Sequence, residues 1–203
     1  MKNFAFTLSE FLITIAIIGI VAAITLPVLI GDIHNRRIIS KASKFYYSMN
    51  QAIYQIEAEY NVDIYDYGTN QEIAKLLGNY LKASKVMVSG DGYKIIFIDG
   101  TYLHIHKSGG LDLVYIIDPK VTNANKAKFG TQRFSFIKPK GANKKMTSYC
   151  WSCCPSSDRN TLIEQCRKTQ SYFYCQKLLE RDGWKFKKDN PWKLNKTTSA
   201  CYK

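Results

Sequence analysis

The alternation of apolar and polar positions changes character twice along the chain, and each regime predicts a different kind of element. Residues 11–30 carry no charge, and their apolar run is broken only by Thr14, Gly19, Thr25 and Pro27. A helix rising about 1.5 Å per residue crosses a hydrocarbon core with roughly 20 such residues, so this stretch is predicted to span a membrane. One carboxylate, Glu10, stands at its entrance. An unpaired ionised side chain is costly there unless a partner neutralises it. The flank of residues 1–5 is short and weakly basic, and no A-x-A site follows the apolar run, so the segment is expected to be retained rather than removed as a signal peptide.

Beyond Pro27 the apolar residues recur at steps of three or four: Ile38, Ala42, Phe45, Met49, Ile53, Ile56 and Tyr60. Lys41, Lys44, Ser48, Gln51, Gln55 and Glu59 fall between them, which predicts an amphipathic stem over residues 31–62 that continues the span as one long helix. Pro27 removes a backbone hydrogen bond and loosens that helix locally. Asp32, Arg36 and Arg37 mark its exit from lipid. Counting positive charges alone gives the opposite orientation, because the leader has only Lys2; the processing signal described below overrules that count.

After a polar turn at 63–68, Thr69 and Glu72 have capping-box spacing and predict a short helix to about Lys82. The period then shortens to two. Residues 93–98 and 101–106 flank Asp99-Gly100 and predict a hairpin closed by a two-residue type I′ turn. Ser108-Gly109-Gly110 turns the chain into a third strand at 111–117, and 132–137 supplies a fourth. The predicted fold class is α+β, a long N-terminal helix packed on an antiparallel meander, with 63–203 forming one head. Residues 138–145 read as an exposed connector; Asn160-Thr161 with Glu164 starts a helix, and 175–181 forms another that ends at Gly183.

Charge singles out the last third of the chain. The 203 residues hold 29 basic and 16 acidic side chains, a net charge of +13, and residues 137–203 alone hold 15 basic against 5 acidic. Such a surface attracts nucleic acid or anionic cell-surface polymers; a solvated lysine face that keeps the head soluble has the same composition. Lys138, Lys140, Lys144 and Lys145 are the candidate anion-binding residues. All six cysteines, Cys150, Cys153, Cys154, Cys166, Cys175 and Cys201, share this third and predict three disulfides whose pairing the spacing leaves open. A zinc site would need a second C-x-x-C or a downstream histidine, yet His34, His104 and His106 all lie upstream. Cys150-Trp-Ser-Cys153 lacks the βαβ setting of a redox dithiol. His104 and His106 share one strand face, but two ligands do not make a metal site. With no G-x-S-x-G, H-E-x-x-H or P-loop in the sequence, no catalytic residue, metal or cofactor is predicted.

Ala5 followed by Phe6-Thr7-Leu8-Ser9-Glu10 at the head of an apolar helix resembles the class III signal of type IV prepilins and pseudopilins. The resemblance implies a leader of residues 1–5, cleavage between Ala5 and Phe6 by a prepilin peptidase, and N-methylation of Phe6. Ala5 stands where the family normally has glycine. It further implies that 6–30 becomes filament core, that Glu10 meets the α-amino group of Phe6 on a neighbouring subunit, and that Gly19 and Pro27 loosen the helix. Gly130 to Phe136 is similar to the G-x-D-x-F-x-F pattern of pseudopilin heads, with Gln132 in the acidic position, so calcium is not implied. Residues 178–192 resemble a closing stretch of these heads in which Trp184 and Trp192 pack on the sheet. The implied function is a structural subunit of a type IV pilus or type II secretion pseudopilus. Its partners would be the peptidase, other pilin or pseudopilin subunits and the inner-membrane assembly platform, its place a single pass through the cytoplasmic membrane with the head outside, then the cell surface. The rival expectations are a minor tip pilin that binds DNA or a surface polymer through its basic C-terminal region, and a membrane-anchored head that never polymerises.

Overall fold

The computed structural model describes residues 7–90, 92–149 and 158–199. The chain divides into two units, Met1–Arg37 and Ile38–Lys203. Helix α1, Leu8–Tyr60, contains Pro27 and supplies all of the first unit that is described apart from Thr7. None of its apolar window is buried, and α1 is the one helix among the described residues long and apolar enough to cross a membrane. Polar side chains in this stretch are satisfied within the helix: the Thr14 and Thr25 hydroxyls donate to the carbonyls of Glu10 and Val21 at 2.6 and 2.9 Å. A helix able to span a membrane needs that economy, since lipid would offer no water to a spare hydroxyl.

In the second unit, the remainder of α1 buries Ile38, Ala42, Phe45, Met49, Ile53 and Ile56, the face its spacing predicts. Tyr60 departs from the seam and is 43 % exposed. Helix α2, Asn70–Tyr80, opens on the expected capping box: Thr69 Oγ1 accepts from the Glu72 amide at 3.3 Å, and the Glu72 carboxylate accepts from the Thr69 amide at 2.8 Å. Six antiparallel strands follow in sequence order, β1 Lys85–Ser89, β2 Gly92–Ile96, β3 Tyr102–Lys107, β4 Gly110–Ile116, β5 Arg133–Pro139 and β6 Thr147–Ser148. The meander therefore gains a strand at each edge of the four predicted from the sequence.

The hairpin between β2 and β3 corrects the type I′ expectation. The Phe97 amide donates to the Thr101 carbonyl at 2.9 Å and Gly100 back to Phe97 at 3.0 Å, so three residues, Ile98 to Gly100, form the turn. Only Gly100 takes a positive φ, +78°, while Asp99 accepts from the Thr101 amide and hydroxyl at 3.1 and 2.7 Å. The Asp99 side chain thus closes a tight turn plus a glycine bulge, the commoner solution when one residue alone is left-handed.

Strand alternation sends Ile95, Leu103, Ile105, Leu113, Tyr115, Phe134 and Phe136 into one core with α1, where Phe45 stacks on Tyr115 with ring centroids 4.1 Å apart. Fully burying such side chains contributes about 1.5–3 kcal/mol each. Helices α3, Arg159–Thr169, and α4, Tyr172–Arg181, complete the head. Gln176 of α4 exchanges hydrogen bonds with the backbone of Ser135, and Glu180 accepts from the Ser148 amide at 2.7 Å, which ties α4 to β5 and β6. Trp184 and Trp192 are buried against Phe134, the packing role expected of them.

Candidate functional site

The N-terminus of α1 carries a second capping box. The Thr7 amide and hydroxyl donate to Glu10 Oε2 at 2.8 and 2.7 Å, and the Glu10 amide returns to Thr7 Oγ1 at 3.3 Å. One carboxylate oxygen of Glu10 is engaged in this way and the side chain is exposed. Gly19 has open space where a Cβ would project. Ala5 and Phe6 lie outside the described residues.

Of the four lysines in the predicted anion patch, Lys138 stands apart from the other three. Lys138 is fully buried, which corrects its placement on an exposed connector. It continues the inward alternation of Phe134 and Phe136 and sits opposite Leu111. Its ammonium lies 2.9 Å from Glu57 Oε1 and 3.1 Å from Asp63 Oδ1, with the Gly141 carbonyl at 3.0 Å. Glu57 also accepts from the amides of Ile64 and Asn143 at 3.2 and 2.9 Å, and Asp63 from those of Tyr65 and Gly141. A buried lysine so enclosed is a structural tie between the C-terminal end of α1 and the chain leaving β5. Lys140 pairs with Asp66 at 3.2 Å; Lys144 and Lys145 are exposed.

Of the cysteines, Cys150, Cys153, Cys154 and Cys201 lie outside the described residues. Cys166 and Cys175 form a disulfide joining α3 to α4, with Cα atoms 4.9 Å apart and both residues buried. Nearby, Arg159 grips Asp182 at 2.8 and 2.9 Å and Asp189 at 2.7 and 2.8 Å, fixing the segment that delivers Trp184. Periodicity could not have announced this fork, because its members lie on a helix start and two loops.

His104 and His106 do share a face, the one turned away from α1. They line a trough of about 450 Å³ together with Tyr102, Asp112, Arg133 and Tyr149. Among the described residues no group of three or more His, Cys, Asp or Glu is arranged to hold a metal. In the loop before β5, Gln132 donates to Asp118 at 2.9 Å, so an amide–carboxylate hydrogen bond closes the segment where the resemblance places an acid. Burial pushes the Asp112 carboxyl up and the Arg133 guanidinium down from their ordinary values, with Ser108 and several tyrosines opposing in turn.

Set against curated proteins and solved structures, the chain finds no match. A protein-family model matches residues 28–194, from the end of the apolar run to the close of the head. Over that extent the chain belongs to the family of unknown function DUF6613.

Proposed function

We propose that this chain is a structural subunit of a type IV pilus or a type II secretion pseudopilus, cleaved before Phe6 and held in the cytoplasmic membrane until it enters a filament. The observation that carries the reading is Phe6-Thr7-Leu8-Ser9-Glu10 set directly before a charge-free, outward-facing helical stretch that continues without a break into a stem packed on an antiparallel sheet. Glu10 has a local partner in Thr7 and keeps an oxygen for a neighbour's α-amino group; two charges that lipid disfavours cancel when subunits stack. Glu10→Leu keeps the chain in the membrane and removes it from sheared surface filaments, as read by immunoblot of both fractions. Recovery of the variant in filaments at the wild-type level refutes the reading, as does a mature chain that still begins at Met1.

A second reading, a minor pilin that takes up DNA or a surface polymer, draws support from lysines other than the connector run. Lys185, Lys188, Lys193 and Lys196 are exposed and form no ion pair among the described residues. This reading expects the full chain in detergent to bind duplex DNA with an affinity that falls steeply with salt, and more weakly after these four are changed to glutamine. No binding at low salt ends it.

A further inference from the structure

The trough on the outer sheet face is not used by either reading, and two buried polar atoms on its floor lack hydrogen-bond partners. Because Leu103 and Ile105 point into the core, Tyr102, His104 and His106 project outward; the register then brings Asp112 and Val114 of β4 and Arg133 and Ser135 of β5 onto the same floor. The Ser89-Gly90 turn, residues 122–125 and Tyr149 wall it.

Arg133 is held rigidly, Nε donating to Ser135 Oγ at 3.1 Å, Nη1 to the Ala124 carbonyl at 3.3 Å, and its plane 4.5 Å from the Phe129 ring centroid. It forms no ion pair among the described residues, and Nη2 is left to donate elsewhere. Tyr102 is 3 % exposed, lines the trough, and its buried hydroxyl has no partner. At the other end Asp112 Oδ2 accepts from Ser108 at 2.9 Å, while Oδ1 is buried and unpaired. Buried polar atoms left unsatisfied are costly, and a ligand that bonds them removes that cost.

Asp112 pairs with Ile137, four positions along β5 from Arg133, so the two ends stand about 14 Å apart along the strand. That is the span of two or three linked pyranose units, more than one ring can bridge. A neutral sugar leaves the guanidinium unmatched; a phosphate dianion brings no hydroxyl donors and is repelled by Asp112.

We propose that this trough binds a short stretch of an acidic polysaccharide, the carboxylate and a ring hydroxyl of one unit on Arg133 and Tyr102 and the hydroxyls of a unit further along on Asp112 Oδ1. The planar fork of arginine favours a carboxylate in two-point contact, and the acceptor-only Asp112 favours hydroxyls.

Calorimetric titration of the full chain in detergent tests this with tetragalacturonate, a hyaluronan tetrasaccharide and an alginate tetramer, against maltotetraose and inorganic phosphate. Saturable binding of at least one acidic oligosaccharide is expected, tighter than maltotetraose by about tenfold or more, the scale of one charge-assisted hydrogen-bonded pair. Arg133→Gln is expected to abolish that margin. Since Arg133 also supports the fold, Asn125→Glu at the exposed rim supplies a variant that disturbs no core and places a like charge at the mouth; it too is expected to weaken binding. Absence of saturable binding by all three acidic probes, equal binding of maltotetraose or phosphate, or undiminished binding by both variants with wild-type melting would overturn the assignment.

Discussion

Lys138→Met keeps most of the volume of a buried side chain and removes the cation shared by Glu57 and Asp63. The three side chains are 0 %, 4 % and 7 % exposed, so water cannot replace the lost ammonium. Removing one partner of a buried ion pair costs about 3–5 kcal/mol. Each carboxylate retains two backbone N–H donors, which places the cost near the lower end, about 3 kcal/mol. At roughly 2–4 °C per kcal/mol for a head of this size, the thermal midpoint falls by about 6–12 °C.

The pH dependence gives a second readout. Burial works to raise the Asp63 carboxyl, but the amides of Tyr65 and Gly141 together with Lys138 outweigh it and hold the group below its usual range. A depressed carboxyl stabilises the fold above its unfolded value, about 3.9, and loses that contribution as pH falls through the folded value. The variant lacks the lysine's share, so its deficit is widest at neutral pH and narrows in acid. Circular dichroism melts of the full chain in detergent at pH 7 and near pH 4 measure both effects. A shift of under about 2 °C at neutral pH, or a deficit that grows on acidification, refutes the argument.

Two further outcomes follow from the head. Breaking Cys166–Cys175, whose partners lie nine positions apart, removes a short cross-link worth about 2–3 kcal/mol, read as a lower melting midpoint for the Cys166→Ser/Cys175→Ser protein; an unchanged midpoint refutes a bracing role. Gly100→Ala forces a Cβ to within 3.0 Å of Pro119 at φ +78° and is expected to cost about 1 kcal/mol or more, with Gly100→Asn milder because asparagine tolerates that region; equal melts for all three proteins refute it.

The stem was legible because a helix packed on a sheet writes its buried face into the sequence every three or four residues, as Ile38 to Ile56 do. Thr69 and Glu72 were legible because a capping box is local. Thr7 and Glu10 have the same spacing and were equally legible as a cap, although an acid at the head of an apolar run also reads as a charge that needs a partner. Asp99-Gly100 misled by one residue: dipeptide identity favours a two-residue turn, but the side chain of Asp99 was free to bond Thr101 and shift the closing pair outward. Lys138 was readable in part, since Phe134, Phe136 and Lys138 alternate onto one face. Nothing local pointed to Glu57 and Asp63, which reach it from far upstream. The trough was hidden for a like reason, because its floor comes from three strands whose polar positions look like an ordinary solvated face until the register places them side by side.

The strand order of the sheet is also the order of the sequence, with each strand beside the one before it. A chain that emerges N-terminus first can therefore add every strand to an edge already formed, never waiting for a later segment to fill a gap. Apart from the 117–132 connection, loop closures between neighbouring strands stay short, which favours quick folding and leaves little time for an open edge to recruit another copy. Helices α3 and α4 come last, α3 held on α4 and α4 bonded to β5 and β6, so truncation from the C-terminus removes this cover before it touches any strand.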